Sequence, residues 1–144
     1  MQIDHIGYAV QDLSVAVKSF STLGYEILGE ETLDDKRKVR ILFMQDPKGT
    51  KVELIAPAGE DSPVTAWLQK NGNSPYHLCY ETENFDGRIT DLKNEGFLVV
   101  HPPLSAPALG ERRVAFLYSR ATGLIELLES RPAEDRSLSG KVSA

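Results

Sequence analysis

The sequence predicts an α+β fold built from two tandem βαβββ modules, and three observations carry that prediction. An offset of 72 lays residues 5–28 over 77–100, so that His5 falls on His77, Tyr8 on Tyr80, Val17 on Ile89, Phe20 on Leu92, Gly24 on Gly96 and Tyr25 on Phe97. An offset of 73 then lays Ile41 on Val114, Phe43 on Phe116, Glu53 on Glu126 and Leu54 on Leu127. In both copies the apolar pattern passes in the same order from strand-like runs to helical spacing and back to strand-like runs.

Each element has a local reason. The first copy opens on the apolar run 3–10, read as a strand. Asp12 can cap a helix whose stripe is Leu13, Val17 and Phe20, and Gly24 stops it. Strand-like segments follow at 25–29, 39–44 and 51–55, the last two joined by the turn residues Asp46-Pro47-Lys48-Gly49. A connector then carries Asp61-Ser62-Pro63, in which Ser62 can cap a short helix with Pro63 at its first position. The second copy repeats the order: a strand at 76–82, a helix opened by Asn84 or Asp86 with Ile89 and Leu92 buried, a stop at Gly96, and strands at 97–100, 113–118 and 124–128. Thr122-Gly123 stands where the first copy has its hairpin turn. The organisation is a first module at 1–57, a connector at 58–75, a second module at 76–130 and a poorly ordered tail at 131–144, small and charged in composition.

Composition narrows the function classes. At 144 residues, 41% hydrophobic and 26% charged, the chain matches an ordinary soluble domain with a real core, and no apolar run is long enough to span a bilayer. Asp4 and His5 interrupt the first apolar stretch, so no signal core is read there, and a cytoplasmic location is the expectation. The single Cys79 allows neither an intrachain disulfide nor a cysteine-rich zinc site. A net charge of −5, with Lys36-Arg37-Lys38 offset by Glu31, Asp34 and Asp35, argues against a nucleic-acid partner.

Two imidazoles and two carboxylates stand at matched places in the repeat: 48 residues separate His5 from Glu53 and 49 separate His77 from Glu126. Alternation puts Glu53 and Glu126 on the faces of Ile55 and Leu128, with Leu54, Ile125 and Leu127 directed to the other face. A carboxylate within a run such as Val-Glu-Leu-Ile is costly to bury unless it is paired or bound to a cation. Alone, each of the four reads as a hydrogen-bonded strand histidine or a solvent-facing glutamate. Their coincidence under the repeat predicts that His5, Glu53, His77 and Glu126 ligate one divalent ion, and the lack of thiolates argues against a closed structural zinc site.

The segments Ile3-Asp4-His5-Ile6-Gly7-Tyr8-Ala9-Val10, Val52-Glu53-Leu54-Ile55-Ala56-Pro57, Tyr76-His77-Leu78-Cys79-Tyr80 and Gly123-Leu124-Ile125-Glu126-Leu127 resemble the metal-ligand strands of the vicinal oxygen chelate superfamily, over about residues 2–129. Within it the chain is similar to small bacterial glyoxalase I enzymes and to methylmalonyl-CoA epimerases. The resemblance implies two βαβββ modules in a cup-shaped mixed sheet around a metal site, usually in a homodimer. It also implies proton removal beside a carbonyl, with the enediolate or enolate stabilised by the metal. Nickel, cobalt or zinc suits the donor set. Glu126 is the implied base, with Glu53 as its alternative.

The complete His, Glu, His, Glu set resembles glyoxalase I, whose substrate is the methylglyoxal–glutathione hemithioacetal; some epimerases have Gln at the position of Glu53 and a catalytic Glu on the strand of Arg40. In favour of an acyl-CoA epimerase stand the connector Asp61-Ser62-Pro63 with Trp67, and Arg40, Arg112 and Arg113, read as unpaired cations for a thiol-adduct or CoA anion. The balance of these features leans to glyoxalase. A third alternative is a non-catalytic, resistance-type binding protein. Smaller readings place His101 in an exposed loop, Leu104 to Gly110 in a mobile loop at the rim, Trp67 over apolar surface beside the connector, and Cys79 as a buried, inert thiol.

Overall fold

The computed structural model describes residues 1–132 and turns the repeat into eight strands and three α-helices among them. The first module holds β1 (Gln2–Ala9), α1 (Leu13–Thr22), β2 (Glu26–Asp34), β3 (Val39–Gln45) and β4 (Lys51–Pro57). Helix α2 (Pro63–Asn71) lies in the connector. The second module holds β5 (Ser74–Thr82), α3 (Phe85–Asn94), β6 (Leu98–Ala106), β7 (Arg112–Ser119) and β8 (Gly123–Glu129). The tail at 131–144 lies, from residue 133 onward, outside the described residues.

Local chemistry sets the boundaries. Asp12 Oδ1 accepts from Val15 N at 3.1 Å and starts α1, and Ser62 Oγ accepts from Val64 N at 3.3 Å with Pro63 leading α2. At the head of α3 Asn84 makes no capping bond, and Asp86 is drawn away to Arg113. The hairpin between β3 and β4 closes because Asp46 Oδ1 accepts from both Lys48 N and Thr50 N while Gly49 takes φ 94°.

The strands run β2-β3-β4-β1-β5-β8-β7-β6 in one curled mixed sheet. In each module the first and last strands pair in parallel, β1 with β4 and β5 with β8. The modules meet through the antiparallel pair β1–β5 at the centre, so each half repeats the other about a local two-fold axis. Alternation then divides the side chains between two faces. On the convex face Leu42, Met44, Val52 and Leu54 pack under Leu13 and Ala16 of α1, and Ala115, Leu117, Ile125 and Leu127 pack under Phe85 and Ile89 of α3. The concave face carries Val39, Ile41 and Ile55 against Val64 and Leu68 of α2, and Cys79, Val114 and Leu128 against Ala106 and Leu109.

Two elements extend by five residues or more past their predicted ends. Strand β2 continues to Asp34 and β6 to Ala106, followed by a 3-10 turn at Pro107–Leu109. Both are edge strands interrupted by register shifts, between Leu28 and Thr32 in β2 and on either side of His101 in β6, so alternation breaks partway along each. Pro102 and Pro103 are tolerated because an edge strand does not need every N–H. The segment read as a mobile rim loop is thus strand followed by a 3-10 turn, with Ala106 and Leu109 buried, and His101 stands in a strand rather than a loop.

Candidate metal centre

The two-fold arrangement brings the four matched residues to adjacent central strands. Glu53 sits on β4 beside Gly7 of β1, Glu126 on β8 beside Cys79 of β5, and β1 and β5 align His5 with Cys79 and Gly7 with His77. All four side chains point to the concave face and are buried, with exposures of 1% for His5, 3% for Glu53 and 4% each for His77 and Glu126. His5 Nε2 lies 3.2 Å from Glu126 Oε1 and 3.6 Å from Glu53 Oε1; His77 Nε2 lies 3.1 Å and 3.5 Å from the same two oxygens. One ligand atom from each residue falls within 4.8 Å of every other.

These atoms approach one another without bonding one another. His5 Nε2, His77 Nε2 and Glu126 Oε1 are buried and have no hydrogen-bond partner. An unpaired buried polar atom costs about 1–3 kcal/mol, and here three of them face one point. A single divalent cation satisfies them together, and two imidazoles plus two carboxylates form a suitable donor set for a first-row ion. The residues present therefore fit such an ion.

Alternation puts His5 on the face of Gly7 and His77 on that of Cys79; what the sequence does not reveal is how their neighbours are turned. The ladder between β1 and β5 skips Asp4, because Ile3 pairs with Tyr80 and His5 with Cys79; it skips Tyr76 in the same way, because Gly7 pairs with His77 and Tyr8 with Pro75. Each metal-facing histidine is thus preceded by the extra residue of a bulge, which turns Asp4 and Tyr76 away from the face that simple alternation would give them. Asp4 Oδ2 accepts from His5 Nδ1 at 2.8 Å and Asp4 Oδ1 accepts from Lys51 Nζ at 3.2 Å, leaving His5 Nε2 directed into the cup. Tyr76 lines the cavity instead and sets its ring 5.4 Å from that of His77. Phe43 and Phe116, equivalent under the repeat, stand edge-on to His5 and His77 at 5.1 Å each. Gly7 leaves the space that the His77 ring fills: a Cβ there would lie 2.6 Å from His77 Nδ1.

Electrostatics follow from this packing. Burial alone would depress the His77 pKa, but the neighbouring carboxylates of Glu126 and Glu53 raise it to about 9. His5 moves well upward for the same reason, with Glu53 and Asp4 overriding burial. Burial would raise Glu126 and Glu53, and the neighbouring imidazoles hold both below the usual carboxylate range. Asp4, part-buried, is held down to about 2 by His5 and Lys51. The Cys79 thiol is pushed far upward, chiefly by burial and then by Glu126, in keeping with an inert core residue.

A cavity of about 460 Å³ rises from Glu53, His77 and Glu126 to the rim. The three arginines expected as anion binders do not line it, and each has a partner. Arg40 donates to Glu31 at 3.3 Å, Arg112 to Glu81 at 3.2 Å and to Leu109 O, and Arg113 to Asp86 and Glu129 at 2.9 and 2.7 Å. The reading of them as unpaired is corrected: alternation turns Arg40 away from the cup face shared by Val39 and Ile41, and no sequence signal joined Arg113 to residues 27 and 16 positions away. The cations that line the cavity are Lys36, Arg37 and Lys38, and His101 lines it with its ring 5.7 Å from Phe116. Trp67 is half-buried, donating from Nε1 to Ser74 Oγ and packing on Tyr76, beside the connector as expected.

The fold and this centre agree with comparison to known proteins. Residues 4–116 match the model of the glyoxalase/bleomycin resistance protein/dioxygenase superfamily, and the chain belongs to that superfamily. Within it the similarity runs to methylmalonyl-CoA epimerases. The chain is 35% identical over 101 residues to the ethylmalonyl-CoA/methylmalonyl-CoA epimerase of Cereibacter sphaeroides, covering 69% of this chain and 74% of that one. It is 30% identical over 129 residues to the human mitochondrial methylmalonyl-CoA epimerase, covering 88% and 72%. A variant of the Streptomyces coelicolor methylmalonyl-CoA epimerase, solved in complex with 2-nitronate-propionyl-CoA, superposes with a TM-score of 0.79 at 28% identity, covering 92% and 99%. These relatives favour the acyl-CoA epimerase reading over the glyoxalase reading to which the ligand set leaned.

Gly7→Ala should displace the His77 ring and weaken divalent-ion binding by about 10–100-fold, the usual range for residues that orient a ligand, while the fold survives. Calorimetric titration with zinc reads this; unchanged affinity would show that the His77 ring does not need the space. A second expectation concerns pH. A histidine raised in the folded state contributes stability that is complete below its unfolded value near 6.5 and vanishes as pH rises through about 9. The metal-free protein should therefore lose stability between pH 7 and 10, and a saturating divalent ion should offset the loss. Denaturant midpoints across that range measure it, and a flat profile without metal would contradict the coupled imidazole–carboxylate cluster.

Proposed function

We propose that the protein is a metal-dependent acyl-CoA epimerase acting on a 2-substituted malonyl thioester of the methylmalonyl-CoA kind. The observation that carries this reading is the buried quartet His5, Glu53, His77 and Glu126 in a chain whose curated relatives include methylmalonyl-CoA epimerases. The bound ion would supply Lewis-acid stabilisation for negative charge developing on the substrate's oxygens. His5 and His77 would hold that ion, and His5 is braced by Asp4, which Lys51 holds in turn.

Glu126 is the proposed base. Its carboxylate takes the proton from the carbon between the thioester and the carboxylate, and the electron pair of that C–H bond moves onto the thioester carbonyl oxygen. Inversion requires a proton to return from the opposite face. Glu53, the equivalent of Glu126 under the repeat, comes from β4, on the other flank of the central pair β1–β5 from β8. No carboxylate comes from β3, whose cup face is Val39, Ile41 and Phe43. Of the other acids lining the cavity, Asp34 is bonded to Arg37 and Asp61 belongs to the connector. Glu53 and Glu126 are therefore proposed to exchange roles as proton acceptor and donor for the two enantiomers. The apolar walls of Ile41, Ile55 and Val114 exclude water from the carbanionic carbon.

Glu126→Gln keeps side-chain volume but removes the base, so turnover of methylmalonyl-CoA should fall by about 10²–10⁴-fold. Metal occupancy measured in the same samples separates lost chemistry from lost binding. Glu53→Gln, assayed in each direction from one pure enantiomer, should lose activity as well if it carries the second proton. Should wild-type protein turn over the methylglyoxal–glutathione hemithioacetal and leave methylmalonyl-CoA untouched, glyoxalase chemistry replaces this reading; turnover of neither at full occupancy favours a binding protein.

A further inference from the structure

We propose that Lys36 and Lys38 form a rim subsite for the phosphates of the substrate's coenzyme A carrier, an inference that rests on the acyl-CoA reading of the metal cup. The turn between β2 and β3 is held from both modules. Arg37 donates through Nη1 to Asp34 Oδ2 at 2.8 Å and Ser105 O at 2.9 Å, and through Nη2 to Leu104 O at 2.9 Å, tying the turn to β6. Asp34 is buried and also accepts from Arg37 N, so its charge is fully engaged. On the other flank Ala58 N donates to Lys38 O at 2.9 Å, and Lys38 itself takes φ 59°, in the left-handed region. Arg37 is therefore a clamp, and the two lysines beside it are left exposed at the cavity, with no acidic partner among the described residues.

The cavity has three zones along its depth. Carboxylate and imidazole donors for a cation lie at the base, the wall is apolar through Val39, Ile41, Ile55 and Val114, and the rim on the side of β2 and β3 carries Lys36 and Lys38. An acyl-CoA has the matching order: an anionic reacting end, a pantetheine arm and a phosphorylated nucleotide. A volume of about 460 Å³ suits the acyl group and part of the arm, which leaves the phosphates at the mouth. The chain as a whole carries a net charge of −5, so two unpaired cations at this mouth run against its general field and provide a local attraction for phosphate.

The test uses the full-length, metal-loaded protein and the double variant Lys36→Gln, Lys38→Asn; asparagine is chosen because it tolerates the left-handed backbone at position 38. Binding of free coenzyme A, dephospho-coenzyme A and pantetheine is measured by calorimetry, and KM and kcat for methylmalonyl-CoA are measured at two salt concentrations. The double variant should bind coenzyme A about 5–10-fold more weakly, raise KM by a similar factor with kcat unchanged, and lose much of the salt dependence, while pantetheine binding stays the same. Lys36→Arg with Lys38→Arg should restore coenzyme A binding. Equal coenzyme A affinity in wild type and double variant, or an equal loss for pantetheine and coenzyme A, would overturn the subsite. Because coenzyme A binding is read apart from turnover, a protein that binds coenzyme A through these lysines yet does not epimerise methylmalonyl-CoA supports the subsite and sinks only the epimerase reading.

Discussion

Everything in this protein is arranged around four ionisable side chains that are buried together and do not satisfy one another. Two imidazole nitrogens and one carboxylate oxygen are sealed from water with no hydrogen-bond partner, a second carboxylate stands beside them, and the eight-stranded sheet curls around the point they share. A core built only for stability would have no reason to place Glu53 and Glu126 between apolar neighbours, since burying a charge is far more costly than burying leucine. Charge attraction between the imidazoles and the carboxylates offsets part of that cost in the metal-free protein, raising the His77 pKa and lowering those of both glutamates. A divalent ion would satisfy the same groups from one point.

Symmetry explains how so short a chain builds such a site. One βαβββ module contributes one histidine and one glutamate, and pairing β1 with β5 places a second copy opposite the first. Bulges at Asp4 and Tyr76 occur in both halves immediately before the histidine, yet the two bulged residues differ in chemistry. Asp4 braces His5 through a hydrogen bond and is itself held by Lys51, whereas Tyr76 turns toward the cavity and His77 Nδ1 has no partner. The pseudo-symmetric scaffold thus gives a matched ligand set with an asymmetric surround. The proposed two-base reaction on a chiral carbon would draw on both properties: carboxylates on the two strands that flank the central pair, and a surround that differs between the two halves.

Much of this was legible in the sequence because the signals were periodic. The offsets of 72 and 73 located both modules, Asp12 and Ser62 marked the starts of two helices, and the embedded Glu53 and Glu126 identified their own face through Ile55 and Leu128. What escaped depended on interrupted periodicity or long-range pairing. Strands β2 and β6 lose alternation at their register shifts, so their second halves read as loops. Asp4 as a brace was hidden because regular alternation would send it to the opposite face from His5. Arg40, Arg112 and Arg113 read as free because their partners lie 9, 31, 16 and 27 residues away, while Arg37, in a run read only as offset by nearby acids, ties the two modules together at the rim.

The most direct test of the central claim is X-ray absorption on the protein loaded with cobalt(II), together with the ion-to-chain ratio. The account predicts one ion per chain, a first shell of nitrogen and oxygen at about 2.0–2.2 Å, and multiple scattering from two imidazoles, with no sulfur despite the nearby Cys79. A spectrum showing fewer than two imidazoles, a sulfur neighbour, or no stoichiometric ion at all would contradict the claim that His5, Glu53, His77 and Glu126 form one metal centre.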